Sequence, residues 1–220
     1  MDNTRDILLT SVRELGILPA DSQIDLLLRY ARELMVWNEK MSLVSLKSSL
    51  DITKHLIDSL TPACCVTGDS MNLLDIGTGA GLPGIPLKII KPSLRVTLVE
   101  ASRKKTSFLK SVIRTLGLQD IRVVRSRIES LVSDISYKGC FDIVISRATF
   151  KIHDLLTLGM PFMAEGGRVI AMKGRRGNEE MIQGMDAIRK TGLTLAERRH
   201  ITLPLTGEYR TLLCFARRPS

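Results

Sequence analysis

The spacing of apolar residues changes near residue 70. Before that point they recur at three- and four-residue steps. Ile24, Leu27, Leu28, Ala31, Leu34 and Met35 share one face of a helix predicted to begin near Asp21 and to end around Trp37 and Asn38. Ile52, Leu56, Ile57 and Leu60 form a second such face over residues 51–60, with Pro62 just beyond it. After residue 70, short apolar runs of strand type take over. Strands are predicted at 72–75, 95–99, 121–124, 141–145 and 168–172, the last reached through a turn at Glu165-Gly-Gly167. Between them, residues 103–116 place Phe108, Leu109, Val112, Ile113 and Leu116 on one helical face, which stops at Gly117. A helix near 179–190 precedes two extended runs, 193–203 and 211–216. These are expected to form an antiparallel edge joined through residues 204–209. The alternation predicts an α/β fold with a doubly wound, mainly parallel seven-stranded sheet, its ligand site at the carboxyl ends of the strands. Residues 1–69 read as an N-terminal helical cap and 70–220 as the core, in one compact unit.

The first of these strands runs into Asn72-Leu-Leu-Asp-Ile-Gly-Thr-Gly-Ala-Gly-Leu-Pro-Gly84, a strand that ends on an acid, breaks into glycines and restarts as a helix. Glycine at 77, 79 and 81 lets the backbone approach a ligand closely, and the first N–H groups of a helix starting near Leu82 are expected to face that ligand. Pro83 and Pro86 suit the first helical turn, where a missing N–H breaks no intrahelical bond. Gly79 to Gly84 also satisfies the dinucleotide pattern G-x-G-x-x-G, with Glu100 following at the end of the second strand. Asp75, however, stands where a nicotinamide-binding loop usually carries an apolar residue. The form acid-x-Gly-x-Gly-x-Gly resembles the first motif of Rossmann-like, class I S-adenosylmethionine-dependent methyltransferases. In that reading Asp75 helps to hold the ammonium of the cofactor, and Glu100 accepts hydrogen bonds from its ribose.

Length and charge narrow the setting. A chain of 220 residues can bury a full core. Its formal charge of +9 favours a polyanionic partner such as nucleic acid over a membrane surface. No signal peptide, no membrane-spanning segment and a cytoplasmic location are expected. Cys64, Cys65, Cys140 and Cys214 show no C-x-x-C spacing and read as reduced thiols without structural zinc or another metal. Basic residues crowd the middle of the chain, from Arg103, Lys104 and Lys105 to Arg127. A second group, Lys173, Arg175 and Arg176, occupies a glycine-containing loop after the fifth strand, where binding residues of open α/β sheets collect.

Taken together, these motifs resemble the RsmG family, also called GidB. The likeness runs through Tyr30 and Trp37-Asn38, Leu43-Val-Ser45, His55-Leu-Ile-Asp-Ser-Leu60, the glycine loop continued to Pro86, Val99-Glu100 with Lys104-Lys105 and Phe108-Leu109, Arg127 with Glu129, Phe141-Asp142, Ser146-Arg-Ala148 and Lys173-Gly174. The resemblance implies S-adenosylmethionine-dependent methylation of N7 of one guanosine in the decoding region (the 530 loop) of 16S ribosomal RNA. The expected partner is that RNA or the small ribosomal subunit, and no stable protein partner is expected for a monomeric enzyme. It implies a cofactor site at Gly77, Gly79, Gly81, Leu82, Glu100, Ile128, Glu129 and Arg147. The family often has alanine where Ile128 stands. A side chain pointing away from the adenine is harmless there, whereas one pointing inward narrows the pocket.

Guanine N7 carries an in-plane lone pair, so its methylation needs positioning and no general base. Arg147 and Lys173, at adjacent strand ends, are expected to frame the cofactor and guide the base, since Arg and Lys are natural donors to guanine O6. Lys104, Lys105, Arg175, Arg176 and His55 are the expected RNA contacts. For His55 a purely structural place carries at least equal weight, and for Arg147 an ion pair with Asp142 or another acid is the lesser alternative. Tyr30 and Trp37 read as core or rim in preference to base-stacking platforms. Three competing functions stay open: a methyltransferase of protein or small molecules, a nicotinamide oxidoreductase, and an RNA-binding module with a vestigial cofactor site.

Overall fold

The computed structural model describes residues 2–46, 49–147 and 149–218, without the side chains of Asp2 and Ser49. Helices α1 (Asp2–Glu14), α2 (Asp21–Asn38) and α3 (Ser49–Leu60) precede strand β1 (Asn72–Ile76). There follow α4 (Gly84–Ile90), β2 (Arg95–Val99), α5 (Arg103–Leu116), β3 (Ile121–Val124), the single turn α6 (Ile128–Leu131) and β4 (Phe141–Arg147). The chain continues with α7 (Ile152–Gly159), β5 (Met163–Lys173), α8 (Gly177–Gln183), α9 (Met185–Lys190), β6 (Leu193–Thr202) and β7 (Tyr209–Arg217). The seven strands lie in the order β3-β2-β1-β4-β5-β7-β6. The pairs among β1 to β5 are parallel, and β7 runs antiparallel to both β5 and β6.

Strand residues alternate between two cores, as a period of two requires. Leu73, Ile143, Ile145, Ile170 and Met172 face one side with helices α1 to α5, where Leu8, Ile24, Leu27, Phe108 and Leu109 are fully buried. Leu74, Val144, Val169 and Ala171 face the other, under α6, α7 and α9. The helical segment before residue 70 thus shares one core with α4 and α5. Trp37 packs edge-on against Phe108 of α5, with ring centroids 5.7 Å apart. Tyr30 is completely buried, and its hydroxyl donates to the carbonyl of Ala80 in the glycine loop at 2.6 Å.

Three local expectations change. The residues Glu165-Gly-Gly167 lie inside β5, which starts at Met163 because Met163 pairs with Phe141 before the register shifts ahead of Ile143. Gly166 takes a positive φ of 70° there, and a Cβ on Gly167 would press on the Phe141 carbonyl, so the glycines serve an irregular strand and not a turn. The helix expected near 179–190 is two helices parted at Gly184. Helix α7, which follows β4, has no counterpart in the expected elements, because its short apolar run Leu155-Leu156 reads equally well as strand. Helix α4 begins at Gly84, so Pro83 stands just ahead of it and Pro86 is its third residue. Among the described residues, no helix is long and apolar enough to cross a membrane.

The buried Tyr30 bond gives a direct test of how far the helical segment supports the loop. Tyr30→Phe leaves the Ala80 carbonyl without its donor and should cost about 1–3 kcal/mol of unfolding free energy by urea titration. A change below about 0.5 kcal/mol would show that this bond does not hold the loop.

Candidate active site

A cleft of about 480 Å³ opens at the carboxyl ends of β1 to β4, where the strand order reverses between β1 and β4. Its walls come from four successive strand ends and from one stretch of the helical segment. Gly77, Thr78, Gly79, Ala80 and Leu82 follow β1, Val99 ends β2, and Glu100, Ala101 and Lys105 come after it. Ser126, Arg127, Ile128 and Glu129 follow β3, Arg147, Thr149 and Phe150 close β4, and Leu43 and Val44 complete the rim. The last two are fixed by Asn38, whose side-chain oxygen accepts from both their backbone N–H groups at 2.7 and 3.0 Å.

The glycine loop is folded around Asp75. This carboxylate has no exposed surface, and its Oδ2 accepts from the Thr78 hydroxyl at 2.6 Å and from the Gly84 N–H at 2.9 Å. Its Oδ1 has no partner among the described residues. The first N–H of α4 is therefore spent on Asp75 and does not face the cleft. Asp75 itself lies beneath the loop and does not border the cleft. Gly77 and Gly79 hold φ values of 66° and 59°, which suit glycine, and a Cβ on Gly77 would meet Thr149 at 2.9 Å. Gly81 is turned inward against Ile85 and Leu109, so its role is to let the loop pack on the core.

Glu100 sits at the floor, with Oε2 accepting from Gly79 N–H at 3.0 Å and Oε1 from Ser102 N–H at 2.8 Å. An ionised carboxylate has about four acceptor positions, so two remain for a ligand. Ile128 borders the cleft while its side chain is 4% exposed and packs in the second core, the arrangement in which it does not narrow a pocket. Glu129, Lys105 and Arg127 bring both signs of charge to the rim.

Arg147 borders the cleft and pairs with Asp58 of α3 at 3.3 Å. Asp142, the acid singled out in the sequence, accepts instead from the Asn72 backbone N–H at 2.7 Å. His55 is half-buried, with Nδ1 3.4 Å from Arg147 Nη1 and Nε2 3.3 Å from the Ser45 carbonyl. Ala148 of the Ser146-Arg-Ala148 motif lies outside the described residues.

Lys173 does not border the cleft. Its ammonium donates to the Phe150 carbonyl and, at 2.9 Å, to Glu180, and Glu180 also accepts from the Ile152 N–H at 2.6 Å. Lys173 thus braces the Thr149–Phe150 wall from behind. Arg175 is exposed, its guanidinium 6.0 Å from the centroid of the Tyr209 ring, and Arg176 and Lys104 are exposed as well. The four thiols are free. The donor atoms of Cys65, Glu197 and Cys214 lie within 4.8 Å of one another, but Glu197 is held by Arg199 at 2.5 Å and none of the three borders the cleft.

Leu43, Val44, Thr78, Ala80, Val99, Ala101, Ser126, Arg127, Thr149 and Phe150 border the cleft although no site role was expected of them. Leu43, Val44, Thr78, Ala80, Val99 and Arg127 stand in the resemblance motifs, which was the available signal. Thr149 and Phe150 follow β4 without any pattern that marks them.

Burial pushes the Asp75 carboxyl up to about 6, against the lowering effect of its bonds to Thr78 and Gly84. A folded-state pKa above the unfolded value means a stability contribution complete below about pH 4 and lost as the pH rises through about 6. In urea unfolding across pH 4 to 7, the stability of the wild type relative to Asp75→Asn should therefore fall with rising pH. Parallel pH profiles for the two proteins would contradict the buried, proton-binding Asp75.

Comparison with known proteins follows the same lines. The family model described as rRNA small subunit methyltransferase G (GidB) matches residues 23–202. The Ribosomal RNA small subunit methyltransferase G of Syntrophus aciditrophicus is 44% identical over 204 residues, covering 92% of this chain and 85% of that protein. The protein of the same name from Syntrophotalea carbinolica is 38% identical over 220 residues, covering 100% and 99%. Among solved structures, the ribosomal protein L11 methylase of Lactobacillus delbrueckii subsp. bulgaricus superposes with a TM-score of 0.58 at 16% identity, covering 76% of this chain and 80% of that one. M. jannaschii TYW2, solved in complex with AdoMet, gives 0.59 at 17% identity and 79% of both chains. These two share the fold, while the match over most of the chain assigns the family: this chain is a methyltransferase belonging to the rRNA small subunit methyltransferase G (GidB) family.

Proposed function

We propose that this protein uses S-adenosylmethionine to methylate N7 of a guanosine in the decoding region of 16S ribosomal RNA, acting as a monomer in the cytoplasm. The observation that carries the reading is the cleft at the β1–β4 switch point in a chain of this family. A glycine loop, an acid at the second strand end and a rim of Lys105, Arg127 and Arg147 meet there. Its volume is within the range of small-molecule sites. The fit to the cofactor rests on the positive-φ glycines that open the loop and on the free acceptor positions of Glu100. When bound, S-adenosylmethionine supplies an electrophilic methyl group on a sulfonium.

The remaining work falls to the chain's own residues. Glu100 accepts from ribose hydroxyls, Gly77 and Gly79 allow close backbone approach, and Leu82 and Ile128 supply apolar wall with Glu129 beside them. Asp75 and Gly81 serve the same site indirectly, by fixing the loop from below. Arg147 holds the cofactor and guides the incoming base, leaving N7 free to attack in line. Lys173 positions the Phe150 wall through its carbonyl. Lys105 at the rim and the exposed Lys104, Arg175 and Arg176 meet phosphates of the folded RNA, in keeping with the net charge of +9. His55 backs Arg147 and contributes to RNA handling through it.

Two outcomes follow. Mapping N7-methylguanosine in 16S ribosomal RNA from cells with and without this protein should show one decoding-region guanosine modified only in its presence; equal modification in both removes the assignment. Lys173→Ala should leave S-adenosylmethionine affinity within about threefold while lowering methyl transfer by about 10- to 100-fold, the scale of a misplaced wall. Unchanged turnover on ribosomal RNA would show that the Phe150 wall does not depend on Lys173.

A further inference from the structure

The Arg147 guanidinium is held from one end only. Both contacts to its side chain among the described residues fall on Nη1, one to Asp58 Oδ2 at 3.3 Å and one to His55 Nδ1 at 3.4 Å. Nη1 carries two hydrogens, so both are committed away from the cleft. The Nε–H and the two Nη2–H groups remain, and they form the planar edge that matches a carboxylate with two parallel hydrogen bonds.

Asp58 in turn is fixed by a second arginine. Its Oδ1 accepts from Arg210 Nε of β7 at 2.9 Å, and Arg210 Nη2 pairs with Glu208 at 2.8 Å while Nη1 donates to the Tyr209 carbonyl at 3.1 Å. The Asp58 side chain is 12% exposed, against 16% for Arg147 and 23% for Arg210, so water cannot replace these partners freely. One carboxylate on α3 therefore joins two arginines from β4 and β7.

His55 completes the clamp as a neutral ring. Burial, and then the Arg147 charge, lower its pKa, and the bond to the Ser45 carbonyl, Asp58 and Asp51 oppose the shift without reversing it. Since Nδ1 accepts from Arg147, Nε2–H donates to the Ser45 carbonyl. That carbonyl adjoins Leu43 and Val44 at the rim.

We infer that Asp58 is a positioning residue that aims the free Nε/Nη2 edge of Arg147 at the carboxylate of the bound cofactor, with Arg210 as the anchor of Asp58 and His55 as a neutral buttress. The inference rests on the cofactor reading given above and assigns one contact within it. Asp58 never touches the ligand and acts only through Arg147.

The test is a double-mutant cycle on the full chain, read as S-adenosylmethionine affinity by calorimetry, beside 16S ribosomal RNA methylation by the wild type. Asp58→Asn should raise the dissociation constant about 10-fold, the scale of one oriented charge-assisted hydrogen bond. Arg147→Ala should raise it at least as much, and adding Asp58→Asn to Arg147→Ala should change nothing further. Multiplying effects, or wild-type affinity in Asp58→Asn, overturn the inference. If thermal melting shows that Asp58→Asn is unfolded, Arg210→Gln decides the matter, because it leaves Asp58 paired with Arg147. It should weaken binding about threefold in the wild-type background and not at all beside Arg147→Ala, with equal weakening in both backgrounds counting against the inference. A wild type that binds no S-adenosylmethionine and methylates no ribosomal RNA would instead defeat the underlying functional reading, so the two failures are distinguishable.

Discussion

The site depends on a carboxylate oxygen buried below it. Asp75 Oδ2 accepts from Thr78 and from Gly84, and so pins both ends of the glycine loop to the end of β1. Burying a charge-bearing group without solvent is costly unless its hydrogen bonds are made, and these two bonds offset that cost only when the loop adopts one shape. Glycine is required at 84 by the same packing, because a Cβ there would press on Leu98 and meet that oxygen at 2.9 Å. The loop's other contacts are built on this frame. Val99 accepts from Gly77 and Thr78, Ser146 donates to the Ile76 carbonyl, and Tyr30 reaches Ala80 from the helical segment. A backbone stretch with few side chains of its own is thereby held rigid from three sides.

Charge around this frame is arranged by depth. The two strand-end acids, Asp75 and Glu100, lie low and turn oxygens to backbone N–H groups. The cations stand higher, with Lys105, Arg127 and Arg147 at the rim and Lys104, Arg175 and Arg176 exposed. Such layering keeps the acids beside backbone donors low in the fold and leaves a cationic field at the mouth, of the sign that attracts polyanions.

Much of this was legible from sequence because it depends on local rules. The acid and glycines at residues 75 to 84 announce a strand, a tight loop and a helix, and the uninterrupted apolar runs at Leu73-Leu74 or Ile143-Val144-Ile145 announce strands buried on both faces. The distant partnerships were not legible. Nothing near Asp58 indicates that its carboxylate would meet Arg147 and Arg210, 89 and 152 residues later, since that depends on how α3 lies across the sheet. Lys173 was placed at the right strand end but faces Phe150 and Glu180, because a side chain's direction at a strand terminus is set by its neighbours and not by its position. Asp75 was assigned to the ligand on its motif, and its Oδ2 is taken up by Thr78 and Gly84 of the loop.

The sheet order also bears on how the protein comes to be made. Among the described residues β7 is the last strand in sequence, yet it lies inside the sheet, between β5 and β6. Until residues 209–217 have left the ribosome, β5 presents an unpaired edge that includes the apolar Val169, Ile170 and Met172. The glycine loop can therefore form before residues 209–217 exist, whereas the sheet closes only once they have emerged. During that interval the nascent protein is a substrate for strand-pairing errors, and chaperone protection would matter most then.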